Sequence, residues 1–139
     1  MVPYCWGDNE YEQLGSKSPA SANSPIRVPG KLAFKAIAAA MRYTCGITSA
    51  GAAYCWGTDL AGELGNGDLV ELRGRLGPLP VFGDRILDSI TARFVHTCGI
   101  GNASKVYCWG SDRYGQLGTG HGGNENSGST IPQHVALPR

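Results

Sequence analysis

Short apolar stretches, each followed by glycine, proline or other turn residues, run along the whole chain. In the recurring tetrapeptide Tyr-Cys-Trp-Gly, aromatic positions alternate with cysteine, so an extended strand would place Tyr and Trp on one face and Cys on the other. Short segments with turns between them are typical of β-strands. The pattern predicts an all-β chain that is rich in turns.

The same segments recur in the same order. Each Tyr-Cys-Trp-Gly leads into a turn-rich block that ends in Leu-Gly, and a Pro-x-x-Val marker follows. The segment FKAIAAAMRYTCGI at 34–47 is matched by LDSITARFVHTCGI at 87–100. The tetrapeptide lies at 4–7, 54–57 and 107–110, and the Pro-x-x-Val marker lies at Pro25/Val28, Pro78/Val81 and Pro132/Val135.

This recurrence divides a single domain into a first repeat at 4–53, a second at 54–106 and a partial third at 107–139, about two and two-thirds units. Each full unit holds four short segments and spans about 50 residues. Such a unit predicts four antiparallel strands, the composition of one β-propeller blade.

The ordered markers resemble the repeats of the regulator of chromosome condensation family, in the cysteine-bearing form common in bacterial proteins. The family pattern runs Y-C-W-G-x-N-x-x-G-Q-L-G, then P-x-x-V, then F-x-x-I-x-A-G-x-x-H-T-C-A-L, and it covers nearly all of the 139 residues. The resemblance implies a β-propeller, usually of seven blades, that serves as a protein-interaction scaffold. With so few units, we expect a part of a longer propeller or a ring completed by other chains. A small β unit that closes in its own way is the third possibility.

Three residues replace glycines of that pattern. Glu12 replaces the glycine before Gln13, and Ala40 and Arg93 replace the glycine after the F-x-x-I-x-A element. Glycine at such positions usually permits a positive φ or a close backbone approach. We therefore expect these turns to bend differently from those of the family pattern, or the blades to deviate locally from the family geometry.

Two pairs of cysteines, Cys45 with Cys55 and Cys98 with Cys108, are each ten residues apart. A hairpin centred on Ala50 places the first pair on facing strands, at a distance that a disulfide can span. The matching hairpin does the same for the second pair. The spacing therefore predicts two disulfides.

Cys5 is left as an unpaired thiol, because it would face a Thr-Cys strand of a preceding unit. Five reduced, buried thiols are the alternative. A metal site is disfavoured, since the chain has no CxxC pair. Bridged cysteines would indicate an extracellular or periplasmic location, and otherwise the location is open.

The aromatic residues of the tetrapeptides are predicted to form the repeat core, packed between blades with each indole N–H reaching a backbone acceptor. One copy per unit is what packing requires, whereas an aromatic cage for a ligand is the alternative. These residues are Tyr4, Trp6, Tyr54, Trp56, Tyr107 and Trp109.

The turn blocks carry Asn9, Asp59 and Asp112 at matched positions. A calcium loop needs several carboxylates at alternating positions of one block. The three blocks do not repeat such a set of carboxylates. The blocks therefore favour Asx turns.

The charge balance of twelve basic and eleven acidic residues gives a net charge of +1, with no Lys/Arg stripe. Binding to nucleic acid or to an anionic membrane is therefore not expected, and no apolar run approaches the roughly 20 residues of a membrane span. His96, His121 and His134 lie in different segments, so no catalytic, cofactor or metal site is predicted. The polar loop at 121–130 is either solvated or a contact surface.

These patterns favour a non-enzymatic scaffold that binds a protein partner or copies of itself. Two alternatives stay open. The family resemblance implies guanine nucleotide exchange on a small GTPase, and bridged cysteines would suit an extracellular recognition or adhesion module.

Overall fold

The computed structural model describes residues 1–17 and 19–138, and for 70–75 it describes the backbone alone. In this part of the chain, ten β-strands form three antiparallel sheets, and one short 3₁₀ helix, Asn102–Ser104, connects two of the strands. The strands are β1 Tyr4–Asp8, β2 Ser21–Arg27, β3 Phe34–Ala39, β4 Tyr43–Thr48, β5 Ala53–Asp59, β6 Val70–Pro80, β7 Leu87–Arg93, β8 His96–Gly101, β9 Val106–Ser111 and β10 Gly128–His134.

The first sheet holds β1 and β2, and the other two hold four strands each, in the orders β3-β4-β5-β6 and β7-β8-β9-β10. The predicted all-β fold with blades of four antiparallel strands is confirmed. The sheets do not follow the sequence repeats, however, because β3 and β4 of the first repeat join β5 and β6 of the second. A sequence period gives the length of a unit without fixing the strand at which a sheet starts, so each four-stranded sheet combines strands of two repeats.

The prolines of the Pro-x-x-Val markers lie on the outermost strands, and each valine directly follows its strand. Pro25 is in β2, Pro78 is in β6 and Pro132 is in β10, and each of these strands ends its sheet. Proline has no N–H to donate, so a sheet tolerates it at an edge and not in a central strand. The markers therefore identify the outer edge of each blade.

The two central hairpins differ in the residues that make their turns. Between β4 and β5, Gly51 has a φ of +84° and donates its N–H to Thr48 O over 2.9 Å. Between β8 and β9, Ala103 and Ser104 both adopt a φ of +56°. The left-handed region is unfavourable for residues with a Cβ, so the second hairpin has the more strained turn.

The turns that lack the family glycine behave in two ways. Glu12 has a φ of +62°, close to the +81° and +76° of the matched Gly62 and Gly115, so at this position the expectation of a different bend is wrong. The β3–β4 and β7–β8 turns do differ from each other. Phe94 has a φ of +48°, whereas no described residue in 40–42 has a positive φ.

The core lies between the sheets. A larger cluster joins the second and third sheets, and a smaller one joins the first and second. The larger cluster contains Tyr43, Cys45, Ile47, Ala53, Cys55, Leu64, Leu87 and Trp109, and the smaller one contains Val28, Phe34 and Trp56.

Candidate functional site

Disulfides cross-link the two hairpins at the centre of the four-stranded sheets. The sulfur atoms of Cys45 and Cys55 lie 2.07 Å apart, and those of Cys98 and Cys108 lie 2.10 Å apart. Each bridge joins facing residues of neighbouring strands. Cys5 is free and half-buried, and burial raises the pKa of its thiol.

A backbone carbonyl connects the first sheet to the second. Gln13 O accepts hydrogen bonds from the indole N–H of Trp56, over 3.0 Å, and from the hydroxyl of Thr44, over 2.9 Å. Trp56 is completely buried, and its ring centroid lies 5.8 Å from that of Phe34. A turn of the first repeat thus holds the tryptophan of the second.

The connection between the second and third sheets has the same design. Glu63 O accepts hydrogen bonds from Trp109 Nε1 and from Thr97 Oγ1, each over 3.0 Å. Thr97 Oγ1 also lies 3.1 Å from Tyr43 Oη, and the Tyr43 hydroxyl donates to His96 O. We call these two connections the Gln13 joint and the Glu63 joint.

Asx-type hydrogen bonds shape the turns that supply these carbonyls. In each turn block, a side-chain Oδ1 accepts the backbone N–H of the leucine five residues later. The three pairs are Asn9 with Leu14 over 2.9 Å, Asp59 with Leu64 over 3.1 Å and Asp112 with Leu117 over 2.8 Å. Among the side chains that the structure describes, which leave out 70–75, no group of three or more His, Cys, Asp or Glu could hold a metal ion.

Glu63 differs from the glutamines at the matched positions. Gln13 Nε2 donates to Asp8 Oδ2 over 2.9 Å, whereas Glu63 is completely buried and its Oε1 has no hydrogen-bond partner among the described residues. Burial, reinforced by the charge of Asp59 and opposed by backbone N–H groups, raises the pKa of Glu63 to about 7. The sequence marks this position, because an acid stands where both other repeats have glutamine, but its burial does not follow from the sequence.

The first tetrapeptide contradicts the predicted role of Tyr4 and Trp6 as repeat core. Their side chains are 52% and 63% exposed, whereas Trp56 and Trp109 are completely buried. Among the described residues, β1 has a neighbouring strand on one side alone, β2. Among the described residues, no second strand and no preceding turn cover Tyr4 and Trp6 as they cover the other copies.

An open groove of about 370 Å³ runs between the free edge of β1 and the face of β3 and β4. Cys5, Trp6, Ile37, Met41 and Thr44 are among its lining residues. Trp6 and Met41 are more than half exposed, so the groove presents apolar side chains to solvent. We call it the β1 groove.

A second cavity, of about 280 Å³, lies under the 81–86 loop, which connects β6 to β7. Phe82 and Ile86 are 56% and 54% exposed, and the Arg85 guanidinium lies 4.9 Å from the ring centroid of Tyr107. This loop combines aromatic, aliphatic and cationic groups on one surface.

The polar loop predicted at 121–130 is shorter than expected, because β10 begins at Gly128. Arg113 forms an exposed ion pair with Glu125 over 2.6 Å, an interaction that usually contributes little to stability. The three histidines remain apart: His96 begins β8, His121 lies in this loop and His134 ends β10. No described helix is long and apolar enough to cross a membrane.

Sheets that stack through buried tryptophans and turn carbonyls define a segment of a β-propeller. The chain matches the family described as the regulator of chromosome condensation (RCC1) repeat over residues 4–47 and 104–139, which together make up more than half of it. The chain belongs to this repeat family.

The chain spans less than a third of the length of the relatives that it matches. It is 30% identical over 139 residues to the ultraviolet-B receptor UVR8 of Arabidopsis thaliana, an alignment that covers 97% of this chain and 30% of the receptor. It is 28% identical over 136 residues to the E3 ubiquitin-protein ligase HERC2 of Homo sapiens, covering 95% of this chain and 3% of the ligase.

Solved propellers have the same fold. Prp20p of Saccharomyces cerevisiae superposes with a TM-score of 0.82 at 20% identity, covering 96% of this chain and 34% of Prp20p. Human WBSCR16 superposes with a TM-score of 0.80 at 17% identity, again covering 96% of this chain and 34% of the other. The chain thus forms about a third of such a propeller.

Proposed function

We propose that the chain is a non-enzymatic protein-interaction module, which binds a protein partner and joins further blades of a longer propeller or copies of itself. One observation carries the proposal. Outside the first tetrapeptide, the side chains of the repeated motifs form disulfides, turns and joints, whereas many of the large exposed apolar side chains lie in loops and on β1. These exposed residues include Trp6, Met41, Phe82, Ile86 and Tyr114.

The solved relatives support protein binding by this fold. Yeast RCC1 (Prp20) has been solved bound to Kap60, and the binding of Prp20p to Gsp1p and histones has been studied. Because the sequence identity is 20%, the likeness supports a binding surface and does not assign the same partners. HERC2 is a ligase of which this chain matches 3%, so its activity does not transfer to the matched segment.

The 81–86 loop is the surface that we propose for a protein partner. Exposed aromatic residues and arginines are enriched at protein interfaces and supply much of their binding energy. Phe82, Arg85 and Ile86 place such groups around a cavity that a partner side chain could enter.

Crosslinking in cells of the source organism tests this surface. The double variant Phe82→Ser/Ile86→Ser should lose a partner that the wild-type chain captures. Leu137→Ser is the matched control, because Leu137 is 58% exposed and lies outside the loop. Equal capture by the double variant, with its circular dichroism unchanged, would reject the loop as the contact.

Activity profiling tests the non-enzymatic part of the proposal. Hydrolase and transferase assays on the purified chain should show no turnover above that of the buffer. Robust turnover that one point substitution removes would contradict the proposal.

Association with copies of itself has a separate test. Light scattering across a concentration series, under oxidising conditions, should give a defined oligomer if copies complete a ring. A monomer at all concentrations would leave the longer propeller as the assembly that we propose.

Guanine nucleotide exchange is a second candidate function, favoured by the likeness to Prp20p, with its TM-score of 0.82. Fold likeness alone is a weak basis for an activity. A nucleotide-release assay with a panel of small GTPases tests it, and the absence of any acceleration would remove it.

The two disulfides are compatible with an oxidising compartment, and we propose that the chain folds in one. An extracellular recognition or adhesion role would follow from such a location and can be tested on a glycan array. Secretion of the tagged chain with one titratable thiol after denaturation is expected, and a cytosolic chain with five would contradict the location. The bacterial origin suggested by the cysteine pattern stays a prediction.

A further inference from the structure

The 81–86 loop carries a cation at a position where the matched 28–33 loop carries an aliphatic side chain. When the two repeats are aligned, Arg85 takes the position of Leu32. Leu32 is partly buried against the smaller core cluster, so apolar packing accounts for it. A guanidinium at the matched position needs a different kind of partner, because a charged group gains nothing from burial against apolar side chains.

Three contacts hold the Arg85 side chain in one direction. Its Nη1 donates to Phe82 O over 3.0 Å, and its guanidinium lies 4.9 Å from the ring centroid of Tyr107. Gly83, with a φ of +87°, leaves room for it, since a β-carbon there would clash with Arg85 Nη1. The loop backbone and Tyr107 therefore orient the guanidinium before any ligand binds.

Most hydrogen-bond donors of Arg85 remain available. A guanidinium has five N–H groups, and among the described residues Arg85 makes the one hydrogen bond to Phe82 O and no ion pair. Arg113 is also stacked on a tyrosine, with 5.5 Å to the ring centroid of Tyr114, but it pairs with Glu125 over 2.6 Å. Because an oriented arginine is a preferred partner of carboxylates, Arg85 offers a site for one.

The cavity beside Arg85 is mainly apolar and has a volume of about 280 Å³. An apolar cavity of about 150 Å³ is large enough for benzene, so this one can hold an aromatic side chain. Two of its walls are aromatic, which favours such an occupant. Its apolar and aromatic lining includes Ala53, Tyr54, Val81, Ile86, Trp109 and Pro132.

Asp84 is the one acidic side chain among the described lining residues. It is exposed and forms no ion pair with Arg85. Solvent and salt screen an exposed charge, so Asp84 weakens the attraction of Arg85 for an anion without cancelling it. The site therefore combines an apolar cavity with one oriented cation at its rim.

We propose that the 81–86 loop binds a peptide segment in which an aromatic residue adjoins an acidic one, with the ring in the cavity and the carboxylate on Arg85. The inference rests on the proposed function and names the chemistry of its protein partner. Burial of the ring would supply affinity, and the charged pair would supply specificity. An uncharged or basic segment with the same ring would leave the guanidinium without a carboxylate.

Selection of random phage-displayed peptides on the full chain, with both disulfides intact, tests this chemistry without assuming a partner. Phage that also bind the Phe82→Ser/Ile86→Ser chain are removed first. The remaining binders should carry Asp or Glu beside Phe, Tyr or Trp. Enrichment of basic or uncharged sequences, or no enrichment at all, would overturn the inference.

A matched pair of synthetic peptides then measures the contribution of Arg85. One is the enriched peptide, and in the other the corresponding amide replaces the acidic residue. By calorimetry, the wild-type chain should bind the acidic peptide about ten times more tightly than the amide, because the amide cannot form the charge-assisted pair. Arg85→Gln should bind the two peptides equally, with circular dichroism unchanged.

Arg113→Gln is the matched control, because it removes a stacked arginine outside the loop. It should keep the preference for the acidic peptide, and Asp84→Asn should keep or increase it. A preference that persists in Arg85→Gln, or that Arg113→Gln also removes, would contradict the assignment to Arg85.

The outcome is separable from that of the proposed function. If the Phe82→Ser/Ile86→Ser chain loses its partner but the wild-type chain shows no preference for acidic peptides, the aromatic-acidic chemistry alone is rejected. If that double variant captures the partner as the wild-type chain does, the loop itself is rejected as the contact.

Discussion

The first and second copies of Tyr-Cys-Trp-Gly have the same sequence and opposite surroundings. Trp56 is completely buried and donates its indole N–H to Gln13 O, whereas Trp6 is 63% exposed. Cys55 is bridged to Cys45, whereas Cys5 is free.

The difference shows that burial of the motif depends on two neighbouring elements. One is the inner hairpin of the same sheet, which lies beside β5 and β9. The other is the turn of the preceding repeat, whose carbonyl accepts the indole N–H. A repeat is thus completed by its neighbour.

Removal of a buried tryptophan should have the largest effect. Trp56→Ala should lower the free energy of unfolding by about 3–5 kcal/mol, because it leaves a cavity in the joint. Trp6→Ala should change it by less than about 0.5 kcal/mol, since its side chain is mainly in solvent. Chemical denaturation followed by circular dichroism measures both, and equal losses would remove the distinction between the two copies.

The cysteines of the two tetrapeptides should differ in the same way as the tryptophans, with the second copy contributing more to stability than the first. The double variant Cys45→Ala/Cys55→Ala should lower the free energy of unfolding by about 3 kcal/mol, which is the stabilisation expected from a disulfide that closes a loop of this length. Cys5→Ala should lose less than about 1 kcal/mol, since that thiol is half-buried and forms no bridge. An equal or larger loss from Cys5→Ala would show that Cys5 contributes more than its surroundings indicate.

The Glu63 joint should depend on pH in a way that the Gln13 joint does not. The pKa of Glu63 is raised from its ordinary value of 4.5 to about 7, so between these values the folded chain binds more protons than the unfolded chain. Stability should therefore fall as pH rises from about 4.5 to about 7. The difference between the wild-type chain and Glu63→Gln should change by about 2–3 kcal/mol across this window.

Denaturation at a series of pH values measures this difference, and subtraction removes the contribution of groups common to both chains, such as His96. Gln116→Glu is the matched control, because it places an acid in the third turn block, where the side chain is only partly buried. A parallel pH dependence in wild-type and Glu63→Gln chains would contradict the assignment to Glu63.

Relief of backbone strain should have the smallest effect. Glu12→Gly should stabilise the chain by about 0.5–1 kcal/mol, because Glu12 adopts a φ of +62°. Gly115→Ala is the mirror control. It should cost a similar amount, since its β-carbon would meet nothing within 4 Å and the φ of +76° alone is penalised. Thermal denaturation measures both, and a destabilising Glu12→Gly would show that this turn is not strained.

Local features of the fold were predictable from the sequence. The pairing of Cys45 with Cys55 follows from a hairpin within a few residues of both, so strand alternation and turn chemistry determine it. The four-stranded blade follows from the sequence repeat, of which the chain contains two full copies and a partial third. These features depend on residues that are close in the sequence.

Non-local features were not predictable. The sheet boundary between β2 and β3 depends on which strands pair across repeats, and a period does not contain that information. The exposure of Trp6 depends on a neighbouring hairpin and turn, not on the tetrapeptide. The burial of Glu63 depends on the stacking of the second and third sheets, which brings Thr97 and Trp109 onto its carbonyl.

Hydrogen exchange of the three indole N–H groups, followed by ¹H–¹⁵N NMR, tests the completion of each repeat by its neighbour most directly. The indole protons of Trp56 and Trp109, bonded to Gln13 O and Glu63 O, should exchange at least a hundred times more slowly than that of Trp6. Similar exchange rates for all three indole N–H groups would contradict the claim that a neighbouring repeat completes each tetrapeptide.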